Sequence, residues 1–345
     1  MVVDTRIPAW DAMKFWRHLD GRGRLLASAL LLLFLSLLEP RAQLPSRVYD
    51  WYFVIDITQS MNVRDAVTSG NGISRLAFAK QQMRQALRSL PCGSRVSLGL
   101  FTERSTANIL HPLEVCAHFA ALDETIASID WRMAWAADSY IANGVFSAID
   151  QASRLGPEMR LAFFTDGNQA PEISARYAPV FEGEQGKVRG IVFGLGSQAA
   201  GRIPLLDQND NITGYWGADD VQRYATFGIS EIQSVADMEQ QQGYHGRNAP
   251  HGSAPKESAN AHLSALDQNN LQKIAKDTGL TYRELTKDKE IGRVVTSNEM
   301  SVWRTAVSDL RPWLVLPAMW LILIFYIPAS LHQLFQQHLS FRKKS

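Results

Sequence analysis

The sequence predicts an α/β fold: a doubly wound, mostly parallel central sheet with one antiparallel edge hairpin, flanked by apolar membrane segments. Short unbroken apolar runs recur, and two end on an acid, Trp51-Tyr-Phe-Val-Ile-Asp56 and Leu161-Ala-Phe-Phe-Thr-Asp166. Runs of this length without polar alternation read as strands buried on both faces. Stretches of helical periodicity alternate with them, the pattern of a sheet covered on both sides.

In chain order, strands are expected at Trp51–Asp56, Arg95–Thr102, Arg160–Asp166, Val188–Gly194 and Thr281–Leu285. Leu76, Ala79, Met83, Leu87 and Leu90 fall at helical spacing behind a cap at Ser74, and Val145, Ile149 and Ala152 repeat the pattern. Arg95–Thr102 and Thr106–His111 form a hairpin around Glu103, Arg104 and Ser105, in a register that pairs Thr102 with Thr106 and Leu98 with Leu110. Extended outward, that register sets Cys92 opposite Cys116 at disulfide distance, with Pro91 and Pro112 as the residues that interrupt the ladder. A second hairpin turns at Asp207–Asn211, between 203–206 and 212–215. Gly243–Ala261 is rich in Gly, Pro, Ser and Asn and reads as a mobile loop; its His245 and His251 have no carboxylate or Cys at a metal-ligand spacing.

Two apolar segments frame this region. Leu25–Leu38 is fourteen residues without a charge and fits either an N-terminal membrane anchor or the core of a signal peptide, with Ala42 as the weak cleavage cue. Trp313–Leu331 is nineteen uncharged residues and is expected to be a transmembrane helix, since a hydrocarbon core of roughly 30 Å needs about 20 residues. Pro317 and Pro328 are tolerated in such a span. Residues 1–24 and 332–345 are basic tails, which the positive-inside tendency keeps in the cytoplasm. The domain at 48–285 then lies across the membrane, and 286–312 is a linker.

With 345 residues, 46% hydrophobic and 20% charged, the chain can bury a substantial core, which excludes a disordered protein. The 35 Lys and Arg against 34 Asp and Glu leave no basic excess for nucleic acid. Two cysteines exclude a disulfide scaffold and leave room for one bridge.

The chemistry collects at the ends of the strands. Asp56-Ile-Thr58-Gln-Ser60-Met sets one carboxylate and two hydroxyls at alternate positions of a tight loop, Thr165-Asp166-Gly167 ends another strand, and Asp138-Ser139-Tyr140-Ile141-Ala142-Asn143-Gly144 leads into a helix. In a doubly wound sheet, ligands bind beyond the carboxyl ends of the strands. The donors Asp56, Thr58, Ser60, Ser139 and Asp166 suit a hard cation, Mg²⁺ or else Mn²⁺ or Ca²⁺. Turn capping accounts for one such acid, not for three loops in order.

This pattern resembles the metal-ion-dependent adhesion site (MIDAS) of the von Willebrand factor A (vWA) family, with Thr58 for the family's first Ser and Ser139 for its Thr. The resemblance runs over about 48–285, closing on Leu271-Gln-Lys-Ile-Ala-Lys-Asp-Thr-Gly279 and Thr281-Tyr-Arg. It implies a Rossmann-like vWA domain whose metal has a vacancy for an acidic side chain of a partner protein, with Asp138 in a supporting position.

Longer strings, Asp56-Ile-Thr-Gln-Ser-Met-Asn-Val-Arg-Asp65, Leu90-Pro-Cys-Gly-Ser-Arg-Val and Asp130-Trp-Arg-Met-Ala-Trp135, resemble the MxaL-type proteins encoded with bacterial methanol dehydrogenase. That resemblance implies a bacterial inner-membrane protein with both termini cytoplasmic and its vWA domain in the periplasm. Its role would be maturation or metal loading of a PQQ-dependent quinoprotein dehydrogenase or its accessory subunits. Related membrane-bound relatives imply the alternative, a general envelope scaffold or stress-tolerance protein partnered with a MoxR-type ATPase system. Trp131 and Trp135 either rim the partner site or belong to the core. An enzyme is not expected: there is no Gly-x-Ser-x-Gly elbow and no His-Glu-x-x-His, and Gly194-Leu-Gly-Ser-Gln lacks the third Gly of a dinucleotide fingerprint.

Overall fold

The computed structural model describes residues 20–68, 71–135, 138–170, 178–217, 262–285 and 291–326. Its centre is a six-stranded sheet: β1 (Asp50–Asp56), β2 (Arg95–Thr102), β3 (Ser105–Glu114), β4 (Arg160–Thr165), β5 (Gly190–Gly194) and β6 (Thr281–Glu284), in the spatial order β6-β5-β4-β1-β2-β3. All neighbours are parallel except β2 and β3. β1 lies between β2 and β4, with Asp56 opposite Phe101 and Ile55 opposite Phe164, so strand order reverses there and a crevice opens at the carboxyl ends.

Successive β1 side chains alternate between two cores. Trp51, Phe53 and Ile55 face helices α1 (Arg75–Ser89) and α2 (Phe119–Ser128), while Tyr52 and Val54 face α3 (Ile141–Leu155) and α4 (Gln268–Thr278). Both layers bury apolar side chains completely, which is why the strands read as continuous hydrophobic runs. Ser74 caps α1 by accepting from Ala77 N, and Gly279, at φ 77°, ends α4 in the left-handed conformation that glycine adopts without steric cost.

The β2–β3 hairpin differs from the expected register. Its turn is the two residues Glu103-Arg104, with Glu103 at φ 58°, so Thr102 pairs with Ser105 and Phe101 with Thr106. Two irregularities beside Leu98 then shift the ladder, restoring Leu98 opposite Leu110 and carrying the pairing to Glu114. Pro112 does not stop it, because β3 is an edge strand, where a missing N–H is tolerated. Cys92 and Cys116 are joined by a disulfide with their Cα atoms 5.2 Å apart. The smaller hairpin pairs Pro204–Leu206 with Ile212–Tyr215.

Part of the stretch expected as a linker is structured. Ile291–Val295 is a short helix with Ile291 and Val295 fully buried in the core, and Trp51 Nε1 donates to the Val295 carbonyl at 3.1 Å. Val302–Asp309 pairs with Arg41–Val48 in a two-stranded ribbon. The five-residue helix is too short to show in helical periodicity, and Val302–Asp309, exposed or half-buried apart from Ala306, leaves no apolar run. The larger compact unit runs Arg47–Arg304.

The other unit, Met1–Ser46 with Thr305–Ser345, contains two helices that pack on each other, Gly21–Leu37 and Arg311–Tyr326. They have 17 and 16 residues, and no helix among the described residues is long and apolar enough to cross a membrane. This corrects the expectation of a complete span over 313–331 as far as the described residues go; 327–331 lie outside them. Also outside are most of both basic tails and the 243–261 loop with His245 and His251.

Candidate metal centre

Asp56 ends β1 and is fully buried, as is Asp166, which follows β4 on the neighbouring strand. The loop after β1 folds back on its own acid: Thr58 N and Thr58 Oγ1 donate to Asp56 Oδ1 at 2.9 and 2.7 Å. Thr58 Oγ1 lies 3.2 Å from Ser60 Oγ. The alternate spacing Asp-x-Thr-x-Ser does this, since a tight turn brings every second side chain to one side. From β4, Thr165 Oγ1 donates to Asp56 Oδ2 at 2.6 Å.

Ser139 is brought in by backbone. Its amide donates to the Ala170 carbonyl at 2.6 Å and its carbonyl accepts from Ala170 N at 3.1 Å, which ties it to the loop after Asp166. Glu103 N donates to the Asp138 carbonyl and Tyr140 N to the Glu103 carbonyl, which ties the same segment to the β2–β3 turn. Asp138 and Ser139 are both buried, and Ser139 Oγ has no hydrogen-bond partner among the described residues. A buried hydroxyl without a partner is costly and marks a place where a ligand would be satisfied.

The electrostatics point the same way. Burial, then the nearby Asp166 charge, pushes the Asp56 carboxyl from its ordinary 3.8 up to about 7, against the opposing hydrogen bonds from Thr165 and Thr58. Asp56 has no cationic partner among the described residues, and hydroxyls with carboxylates are the donor set of a hard cation. Among the described residues, no group of three or more His, Cys, Asp and Glu is disposed to hold a metal. The chemistry available is therefore two carboxylates with hydroxyls.

Three participants were not foreseen. Arg75, the first residue of α1, is fully buried and pairs with Asp166 and Asp65, each at 2.6 Å. Ser264 Oγ donates to Asp166 Oδ2 at 3.1 Å. The sequence signal for Arg75 was its place behind the Ser74 cap, where the helix dipole disfavours a cation; Ser264 carried none. The two tryptophans divide: Trp131 packs against the core, with Nε1 on Asp210, whereas Trp135 is 49% exposed with Nε1 on Glu103 Oε2.

No family model matches the chain, and no curated protein does. Among solved structures it is similar to an aerotolerance-related membrane protein from Bacteroides fragilis, at 14% identity and TM-score 0.45, over 73% of this chain and 98% of that one. It is similar to BatB from Bacteroides thetaiotaomicron at 17% identity and TM-score 0.44, over 72% and 95% of the two chains. A von Willebrand factor type A structure from Catenulispora acidiphila matches at 12% identity and TM-score 0.37, over 81% and 44%. At such values the α/β assignment stands on the strand order and register themselves.

Proposed function

We propose that this chain is a membrane-anchored vWA-type protein that holds a hard divalent cation, Mg²⁺ with Mn²⁺ or Ca²⁺ as substitutes, on Asp56, Thr58, Ser60, Ser139 and Asp166, and uses it to capture an acidic side chain of a partner. The observation that supports this most is the presence, at the carboxyl ends of the strands, of two fully buried carboxylates and a buried Ser139 hydroxyl that nothing among the described residues satisfies. The cation would supply the positive charge that Asp56 lacks and a position open to an incoming carboxylate. Thr58 and Thr165 hold Asp56 in place for it.

The two outer helices support the anchor. Where Gly21–Leu37 and Arg311–Tyr326 pack, the buried residues include Ala29 and Ala318, while Leu30, Phe34, Leu37, Trp313, Trp320 and Leu323 are exposed. Small residues inside and large apolar ones outside is the reverse of a water-soluble helix pair and the usual arrangement in lipid. In this reading the basic tails are cytoplasmic and the domain is periplasmic.

The 56–65, 90–96 and 130–135 strings favour maturation or metal loading of a periplasmic PQQ-dependent methanol dehydrogenase as the setting. The alternative is a general envelope scaffold or stress-tolerance protein with a MoxR-type ATPase system. Both use the same site and no enzymatic step. Titration of the detergent-solubilised full chain with Mg²⁺ tests the site: the wild type binds, Asp56→Ala and Asp166→Ala do not, and equal binding by all three rejects it. Pull-down from native membranes with and without chelator separates the settings by what is lost.

A further inference from the structure

The orientation of Asp166 is set by a side chain outside the donor set. Arg75 Nη1 donates to Asp166 Oδ2 and to Ser264 Oγ, both at 2.6 Å. Nη2 donates to Asp65 Oδ2 at 2.6 Å and to the Ser264 carbonyl at 3.1 Å, and Nε to Asp65 Oδ1 at 2.9 Å. These bonds use all the guanidinium's N–H directions, so the fork has no freedom to turn. Asp65 is itself fixed, accepting from Ser197 N at 3.0 Å. Gly196, at φ +100°, closes the pocket, since a Cβ there would collide with Arg75 Nε.

A cation in the first turn of a helix opposes the dipole, and a buried guanidinium is costly unless every partner is present. A plain core needs neither. The network converges on one carboxylate of the metal centre: Arg75 and the Ser264 hydroxyl both bond to Asp166 Oδ2, and Asn168 N donates to Oδ1 at 2.9 Å. We propose that Arg75 is the positioning residue of the metal centre, fixing the Asp166 carboxylate for the cation with Ser264 as its relay. This rests on the metal reading given above. Lysine cannot replace it, because an ammonium cannot span Asp65, Asp166 and Ser264 in one plane.

The test measures Mg²⁺ affinity by calorimetry, and melting temperature in chelator, on the full chain in detergent. Arg75→Lys and Ser264→Ala are expected to weaken Mg²⁺ about 10-fold or more, the effect of removing a partner that orients a ligand. Arg304→Lys, which disturbs the buried Asp50 ion pair at the far end of β1, serves as the structural control. It should lower the melting temperature and leave the affinity unchanged. Wild-type affinity in both Arg75→Lys and Ser264→Ala overturns the inference, and so does equal weakening in all three variants. If Arg75→Lys does not fold, Ser264→Ala decides by the same criteria. Failure of the wild type to bind Mg²⁺ is a separate result that removes the metal reading and this inference with it.

Discussion

Thr165 Oγ1 donates to Asp56 Oδ2 at 2.6 Å, so the residue preceding one buried acid holds the other. With Thr58 on Oδ1, three hydrogen bonds favour the charged carboxylate, yet burial and Asp166 outweigh them and push Asp56 up to about 7. An acid whose pKa is higher folded than unfolded binds a proton on folding, so metal-free stability falls as pH rises from the ordinary 3.8 through about 7. Asp56→Asn removes that penalty. In chelator at pH 8 the variant should exceed the wild type by about 1 kcal/mol or more, with the gap narrowing at pH 5, and it should bind no Mg²⁺. Urea melts at the two pH values measure this; a variant less stable at pH 8 contradicts it.

Asp50, at the other end of β1, titrates with the opposite sign. It is buried, and Arg95 and Arg304 each reach it at 2.6 Å. Burial alone would raise its pKa, but the hydrogen bonds and charges of Arg304 and Arg95 outweigh it and hold the carboxyl below the ordinary value. Its contribution is thus present above pH 3.8 and lost as pH falls through the lowered folded value. Arg304→Ala should cost about 1–3 kcal/mol at pH 7, since Arg95 remains. Removing both arginines should cost more than the sum of the single changes, because a buried charge is then uncompensated. Near pH 4 that excess should shrink as Asp50 protonates. Additivity at pH 7 would contradict this account.

The Cys92–Cys116 bridge spans 24 residues and closes the base of the β2–β3 hairpin. Glu114 knits the same corner, accepting from Gly93 N and Ala117 N at 2.6 Å each. A loop of this size contributes about 3 kcal/mol through the unfolded chain. The Cys92→Ser, Cys116→Ser double variant should therefore melt roughly 6–12 °C lower. The native protein should expose no reactive thiol before reduction. Two labelled thiols in the oxidised sample would rule the bridge out.

The buried strands were legible because β1 and β4 are enclosed on both faces and leave unbroken apolar runs. The Asp56, Thr58 and Ser60 loop was legible because its chemistry repeats every second residue. What was not legible depends on distance along the chain: Arg75 meets Asp65, Asp166 and Ser264 at separations of 10, 91 and 189 residues, and no local pattern encodes such a meeting. The hairpin register failed for a different reason. A two-residue turn with φ 58° at Glu103 asks for Gly, Asn or Asp, and glutamate gives no sign of it.

Gly144 tests how the third loop is seated. It lies in the first turn of α3, a few residues after Ser139, and Thr106 Oγ1 donates to its carbonyl at 3.1 Å. A Cβ at this position would overlap the ring of Phe101, which is fully buried, packs on Phe163 at 5.5 Å between centroids, and stands opposite Asp56 in the sheet. The bare backbone is what lets α3 lie close at the carboxyl edge of the strands. Helix propensity alone would make Gly144→Ala stabilising by about 1 kcal/mol. Overpacking a filled core costs about 1–3 kcal/mol, so the variant should be less stable and bind Mg²⁺ more weakly. Phe101→Leu gives up the ring that the new methyl meets. In a double-mutant cycle the pair should therefore recover part of the loss, a favourable coupling of about 0.5 kcal/mol or more. A stabilised Gly144→Ala, or a cycle with no coupling, would show that α3 is held away from Phe101 in solution.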